Sequence, residues 1–183
     1  MVEYRSSARR DAYGSQINRA HSPLVALVLP WASIIIGSMT VYLPLFPPLA
    51  LLPPMGFMML LGWRLVRPGL LPMWVGFPLG MIDDLFNGQP FGCAIMLWSL
   101  TLLALEIIET RFPWRGFLHD WLAAAIIIAL YINASALFSG APGLDSFLTV
   151  GPLTLLSILM FPIFARMVAF LDRLRLTRYR TLA

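Results

Sequence analysis

The placement of positive charge constrains this chain more than any other feature. All thirteen basic residues are arginine. None of them interrupts the six apolar stretches Leu24–Leu43, Pro47–Trp63, Leu70–Asp83, Phe91–Ile108, Trp121–Phe138 and Phe147–Ala165. A hydrocarbon core of ~30 Å takes about 20 residues of helix, fewer where flanking side chains reach outward. Arg5, Arg9, Arg10 and Arg19 precede the first stretch, Arg64 and Arg67 follow the second, and Arg111 and Arg115 follow the fourth. Arg166, Arg173, Arg175, Arg178 and Arg180 follow the sixth. The connections around Pro44, Asn87 and Gly143 have no basic residue. Cytoplasmic loops retain positive charge. The pattern therefore predicts an all-α integral membrane protein of the inner membrane, with six transmembrane helices and both termini cytoplasmic.

Of the 183 residues, 59% are hydrophobic and 12% charged, against about 25% charged in an average soluble domain. Six helices of ~20 residues use about 120 residues and leave no room for a soluble domain. The predicted organisation is a basic cytoplasmic tail over 1–22, a six-helix transmembrane domain over 23–166 and a basic amphipathic tail over 167–183. Arginines at helix ends report orientation and attraction to anionic headgroups, so membrane lipid is expected as a partner and nucleic acid is not. Cys93 is the single cysteine, which excludes a disulfide framework or a cysteine metal site and suits a small packing residue. The first apolar stretch lacks a small-residue cleavage site after it and reads as a retained helix.

Pro53 and Pro54 imply that the second helix starts late or kinks. The third stretch is short and broken by Gly69, Pro72, Gly76, Pro78 and Gly80 before Asp83-Asp84. Gly76 and Gly80 make a small-xxx-small spacing that permits close helix approach. Past Pro162, the residues Phe164, Met167, Leu171 and Leu174 follow helical spacing. Arg166, Asp172, Arg173 and Arg175 occupy other faces, as in an amphipathic helix lying on the cytoplasmic leaflet or docking on a partner.

Ionisable groups inside a membrane are costly and few here: Asp83, Asp84 and Glu106. Adjacent aspartates on a helix point about 100° apart and do not converge on a metal. Asp83 is expected to be solvated at the interface and Asp84 to turn toward the protein. Glu106 is expected to snorkel or to pair with Arg64 or Arg111. His21 and His119 are placed at headgroup level. No nucleophile–base pair, phosphate loop or zinc spacing is present, so neither catalysis nor a cofactor is expected. The most specified segment is Gly80–Gly92. On a helix Gly80 and Asp84 share a face, Asn87-Gly88 supplies a turn, and Pro90 suits the start of the next helix. Asp84 is then placed to accept hydrogen bonds from backbone N–H groups at the start of the fourth span.

Gly80-x-x-x-Asp84-x-x-x-Gly88-x-Pro90-x-Gly92, with six hydrophobic segments and arginine-rich ends, resembles the signature of the rod shape-determining protein MreD family. The resemblance spans Leu24 to Leu174; Asp83 beside the motif aspartate and Phe91 in place of the family's usual leucine are mild departures. It implies a non-enzymatic scaffold of bacterial cell elongation, similar in fold to the substrate-binding subunits of energy-coupling factor transporters. The partners it implies are MreC, MreB, and RodA with its transpeptidase penicillin-binding protein. On this reading Gly76, Gly80, Asp84, Gly88, Pro90 and Gly92 form the structural and partner-interaction motif. Arg166, Arg173, Arg175 and Arg178 are expected to contact lipid or a partner. The alternative is a substrate-binding transporter subunit. Its polar inventory in the external half is Asp83, Asp84, Asn87, Gln89, Asn133 and Asp145, with no basic residue.

Overall fold

The computed structural model describes residues 23–40, 52–111, 116–140 and 144–175. The expectations for the N-terminal tail, the turn at Pro44–Pro48, Arg115, Arg178 and Arg180 lie outside the described residues. The described chain is all helical: α1 (Pro23–Met39), α2 (Met55–Val66), α3 (Gly76–Asn87), α4 (Cys93–Arg111), α5 (Phe117–Phe138) and α6 (Leu144–Arg175). A 3-10 turn, Met73–Val75, leads directly into α3.

Helices α4, α5 and α6 are long and apolar enough to cross a membrane, while α1 and α2 are shorter apolar helices. In α6 only 22% of the most apolar 18-residue window is buried in the protein. Leu148, Leu155, Leu159, Ile163 and Phe170 all face outward. A helix that is apolar all round and mostly exposed is solvated by lipid. The chain is a multi-pass membrane protein.

α2 lies at the centre of the bundle. Its start at Met55, directly after Pro53-Pro54, shortens the expected Pro47–Trp63 span, because proline suits only the first turn of a helix. Every residue from Gly56 to Arg64 is buried. α1 and α6 are its principal neighbours, and α3 packs chiefly against α4 and α1. Glycines set the closest approaches. A side chain on Gly37 would meet the backbone of Gly56 at 3.0 Å, and one on Gly62 would meet Val168 Cγ2 at 2.9 Å. Trp63 Nε1 donates to Ser33 Oγ at 2.8 Å, tying α2 to α1 within the apolar core.

α6 runs unbroken for 32 residues, through Pro152 and Pro162, a length of about 48 Å. No break separates the sixth span from the segment expected to be an amphipathic tail. The face turned inward also differs from the expected one. Phe164 and Val168 are buried against α2, whereas Met167 and Leu174 are exposed. The inward row continues one turn further with Asp172 and Arg175, both buried. The apolar spacing alone could not separate the two faces, since a polar pair completes the inner one.

Candidate functional site

Two polar clusters sit at opposite ends of the bundle. At the arginine end, Arg64 is 2% exposed although it was expected in a loop: it belongs to the last turn of α2 and points between helices. It forms ion pairs with Glu106 and Glu109 of α4, the second at 3.0 Å. A guanidinium presents five donors in a fixed fork and can serve two carboxylates at once. Pairing with Arg64 is one of the three outcomes expected for Glu106, beside snorkelling and pairing with Arg111. Beside it, Arg67 Nε pairs with Asp172 Oδ2 at 3.0 Å and so fastens α6 to the end of α2. The Arg175 guanidinium lies 6.0 Å from the centre of the Trp63 ring, within cation–π range. Of the arginines expected to meet lipid or a partner, Arg166 and Arg173 are exposed and Arg175 is turned into the protein.

At the other end, α3 and α4 form a closed helix–turn–helix. Asp84 Oδ1 accepts from Ala94 N at 2.8 Å, and Oδ2 accepts from Gly92 N at 2.9 Å and Ile95 N at 3.2 Å. These N–H groups belong to the first turn of α4 and its approach, which have no partner within the helix. The carboxylate also meets the positive end of the α4 dipole. Gly88 (φ 64°) ends α3 in the left-handed conformation, and Gly92 (φ 99°) turns the chain into α4. Pro90 lies between them, its carbonyl accepting from Cys93 N at 3.0 Å.

Gly76 and Gly80 lie against α4 of the same chain. A side-chain carbon on Gly80 would fall 2.7 Å from Ile95 Cα and 2.8 Å from the Ala94 carbonyl oxygen; one on Gly76 would fall 2.9 Å from Ser99 Cα. The small-xxx-small spacing therefore serves the α3–α4 contact inside the protein. An adjacent face of α3, with Phe77, Met81 and Leu85, is exposed, as is Trp74 just before it.

Asp83 departs from expectation. It is 2% exposed, not solvated, and the side chains of Ser38, Asn87 and Tyr131 surround it. Its burial follows from α1, which packs on α3. Beside it is a cavity of about 220 Å³ whose walls include Ser38, Asn87, Gln89, Tyr131 and Ser135. The Tyr131 ring stacks on Phe57 at 3.9 Å, which fixes the direction of its hydroxyl. Neither Ser38 nor Tyr131 was singled out from the sequence. A serine or a tyrosine in an apolar helix is a weak signal, and what brings them to Asp83 is the packing of α1 and α5. Asn133, expected among the external polar groups, instead bonds its own helix at Ala129 O (2.7 Å) and is exposed.

Among the described residues, no three His, Cys, Asp or Glu side chains gather as metal ligands. Comparison of the chain with protein-family models, with curated proteins and with solved structures finds no match.

Proposed function

We propose that this protein is a scaffold of the bacterial cell-elongation machinery, of the rod shape-determining MreD type, in the inner membrane. On this reading the arginine end is cytoplasmic, all six helices take part in crossing the membrane, and both termini are cytoplasmic. The observation that carries the proposal is the geometry of the Gly80–Gly92 signature. Its residues cooperate in one closed turn, with Gly80 admitting α4, Asp84 holding its first N–H groups and Gly88 and Gly92 reversing the chain. A rigid outer turn whose exposed face presents Trp74, Phe77, Met81 and Leu85 suits a protein that displays helix faces to other membrane helices. The partner for that face is the transmembrane helix of MreC. Exposed Arg166 and Arg173, near the end of a helix longer than the bilayer, are placed for anionic lipid or for MreB. RodA and its transpeptidase join through the same assembly.

The test is an affinity pull-down of the tagged protein from gently solubilised native membranes. Recovery of MreC and elongation enzymes, diminished by Phe77→Ala with Leu85→Ala while expression is unchanged, supports the scaffold. Recovery of an ATPase pair with a shared membrane coupling subunit would replace it with the transporter reading, which the cavity beside Asp83 favours.

A further inference from the structure

We propose that the cavity beside Asp83 is a binding site for a small organic cation, a protonated amine with a short carbon chain. The inference starts from how differently the two neighbouring aspartates are treated. Asp84 is satisfied by three backbone N–H groups and a helix N-terminus. Asp83, equally buried, is surrounded by the neutral side chains of Ser38, Asn87 and Tyr131. Among the described residues, no arginine forms an ion pair with it. The described arginines that pair do so at the other end of the bundle. A buried carboxylate without a cation is costly, and the same deficit attracts a cation from outside.

The walls carry matching vacancies in hydrogen bonding. Ser38, Asn87 and Tyr131 line the cavity as well as surrounding Asp83. Tyr131 is 3% exposed, and its hydroxyl lies beside Asp83, Trp98 and Gln89 without reaching full hydrogen-bond geometry to any of them. Gln89 Oε1, on the same wall, is likewise buried and unpaired. Buried polar atoms in native proteins are nearly always paired, so a set of them around one cavity marks a place for something polar. Asp83 itself lies behind this wall of Ser38, Asn87 and Tyr131. The amide and phenol oxygens on the wall are acceptors, and an ammonium group offers them three donors and brings the charge that opposes Asp83. Apart from Ser135, the rest of the lining, with Pro53, Pro54, Met55, Ile132 and Leu153, is apolar and receives a short hydrocarbon part. A volume of about 220 Å³ is below the range of drug-sized pockets, which limits the ligand to a small molecule.

This inference does not depend on the scaffold reading, and its test uses the purified full-length protein alone. Thermal unfolding in detergent is followed by tryptophan fluorescence during titration with ethylammonium chloride. Propanol, the neutral counterpart, and sodium chloride at equal ionic strength serve as controls. The expected result is a saturable rise of about 2–4 °C with ethylammonium only. Asp83→Asn should abolish it and Tyr131→Phe should weaken it. Ser135→Met, which fills part of the cavity, should also abolish the rise. Asp83→Asn, whose unliganded midpoint is expected at or above that of the wild type, shows that loss of response is not loss of fold. The absence of a saturable rise in the wild-type protein, or an equal rise in Asp83→Asn, would overturn the proposal.

Discussion

Gly80 and Asp84 stand one turn apart on α3 and address the same two residues of α4, Ala94 and Ile95. Gly80 does so by having no side chain, since a Cβ there would fall 2.7 Å from Ile95 Cα. Asp84 does so by accepting hydrogen bonds from both of their N–H groups. The first residue sets the distance between the helices, and the second holds the end of α4 at that distance. Each depends on the other: a wider crossing would carry the N–H groups out of reach of the carboxylate.

The two adjacent aspartates should therefore respond oppositely to neutralisation. Asp84→Ala removes three charge-assisted hydrogen bonds and leaves buried N–H groups unpaired, a loss of about 2–4 kcal/mol. Asp83→Asn removes a buried carboxylate that no cation among the described residues balances and should be neutral or stabilising by about 1 kcal/mol. Thermal midpoints of both variants in one detergent, without added amines, check this. Equal destabilisation would contradict the division of roles.

Glycine positions in the turn should differ in what replaces them. Gly80→Ala must push backbone against backbone and should cost about 1–3 kcal/mol. At Gly88, with φ 64° and open space around a Cβ, the penalty is conformational only. Gly88→Asn should therefore be milder than Gly88→Ala, and Gly88→Val worse than either. The order of yields after solubilisation and of unfolding midpoints reports it.

At the arginine end, Arg64→Ala should destabilise the bundle by about 2–4 kcal/mol, because two carboxylates lose a buried cation. Arg64→Lys should recover only part, since one ammonium cannot reproduce the guanidinium fork. Glu106→Gln alone should cost under about 1 kcal/mol: Glu106 is 43% exposed and Glu109 still holds Arg64. A Glu106→Gln loss matching that of Arg64→Ala would show that Glu109 contributes nothing.

Attachment of the end of α6 to α2 is open to proteolysis. Gly62→Leu would collide with Val168 and separate the helices, exposing backbone near Arg173. Limited trypsin digestion of the detergent-solubilised protein should then cut after Arg173 several-fold faster than in the wild type, while Asp172→Asn should have a smaller effect. Unchanged cleavage in Gly62→Leu would mean that α2 does not hold this segment.

What the sequence revealed, and what it hid, separates along the range of the interactions. The Asp84 cap and the Gly80 approach are local, spanning an 8- to 11-residue return, and were readable from spacing and turn residues. The late start of α2 was readable from Pro53-Pro54. Burial of Asp83, Arg64 and Arg175 was not, because it depends on which helix occupies the centre. In lipid-facing helices apolar residues cover every side, so periodicity no longer marks the inner face. Arg64 illustrates this: by position it resembles any arginine ending a span, and its partners lie 42 and 45 residues further along the chain.

The central position of α2 has a consequence for biogenesis. The helix has 12 residues, too few to span a bilayer of ~30 Å unaided, and it ends in a buried arginine. The carboxylates that neutralise Arg64 arrive with α4, and the acidic partner of Arg67 arrives 105 residues later with the end of α6. Until then α2 is a poor candidate for stable insertion. The bundle is thus assembled around a segment that is synthesised early and secured last. Chains arrested before α6 should be substrates for membrane quality control, even though most of their hydrophobic length has already been made.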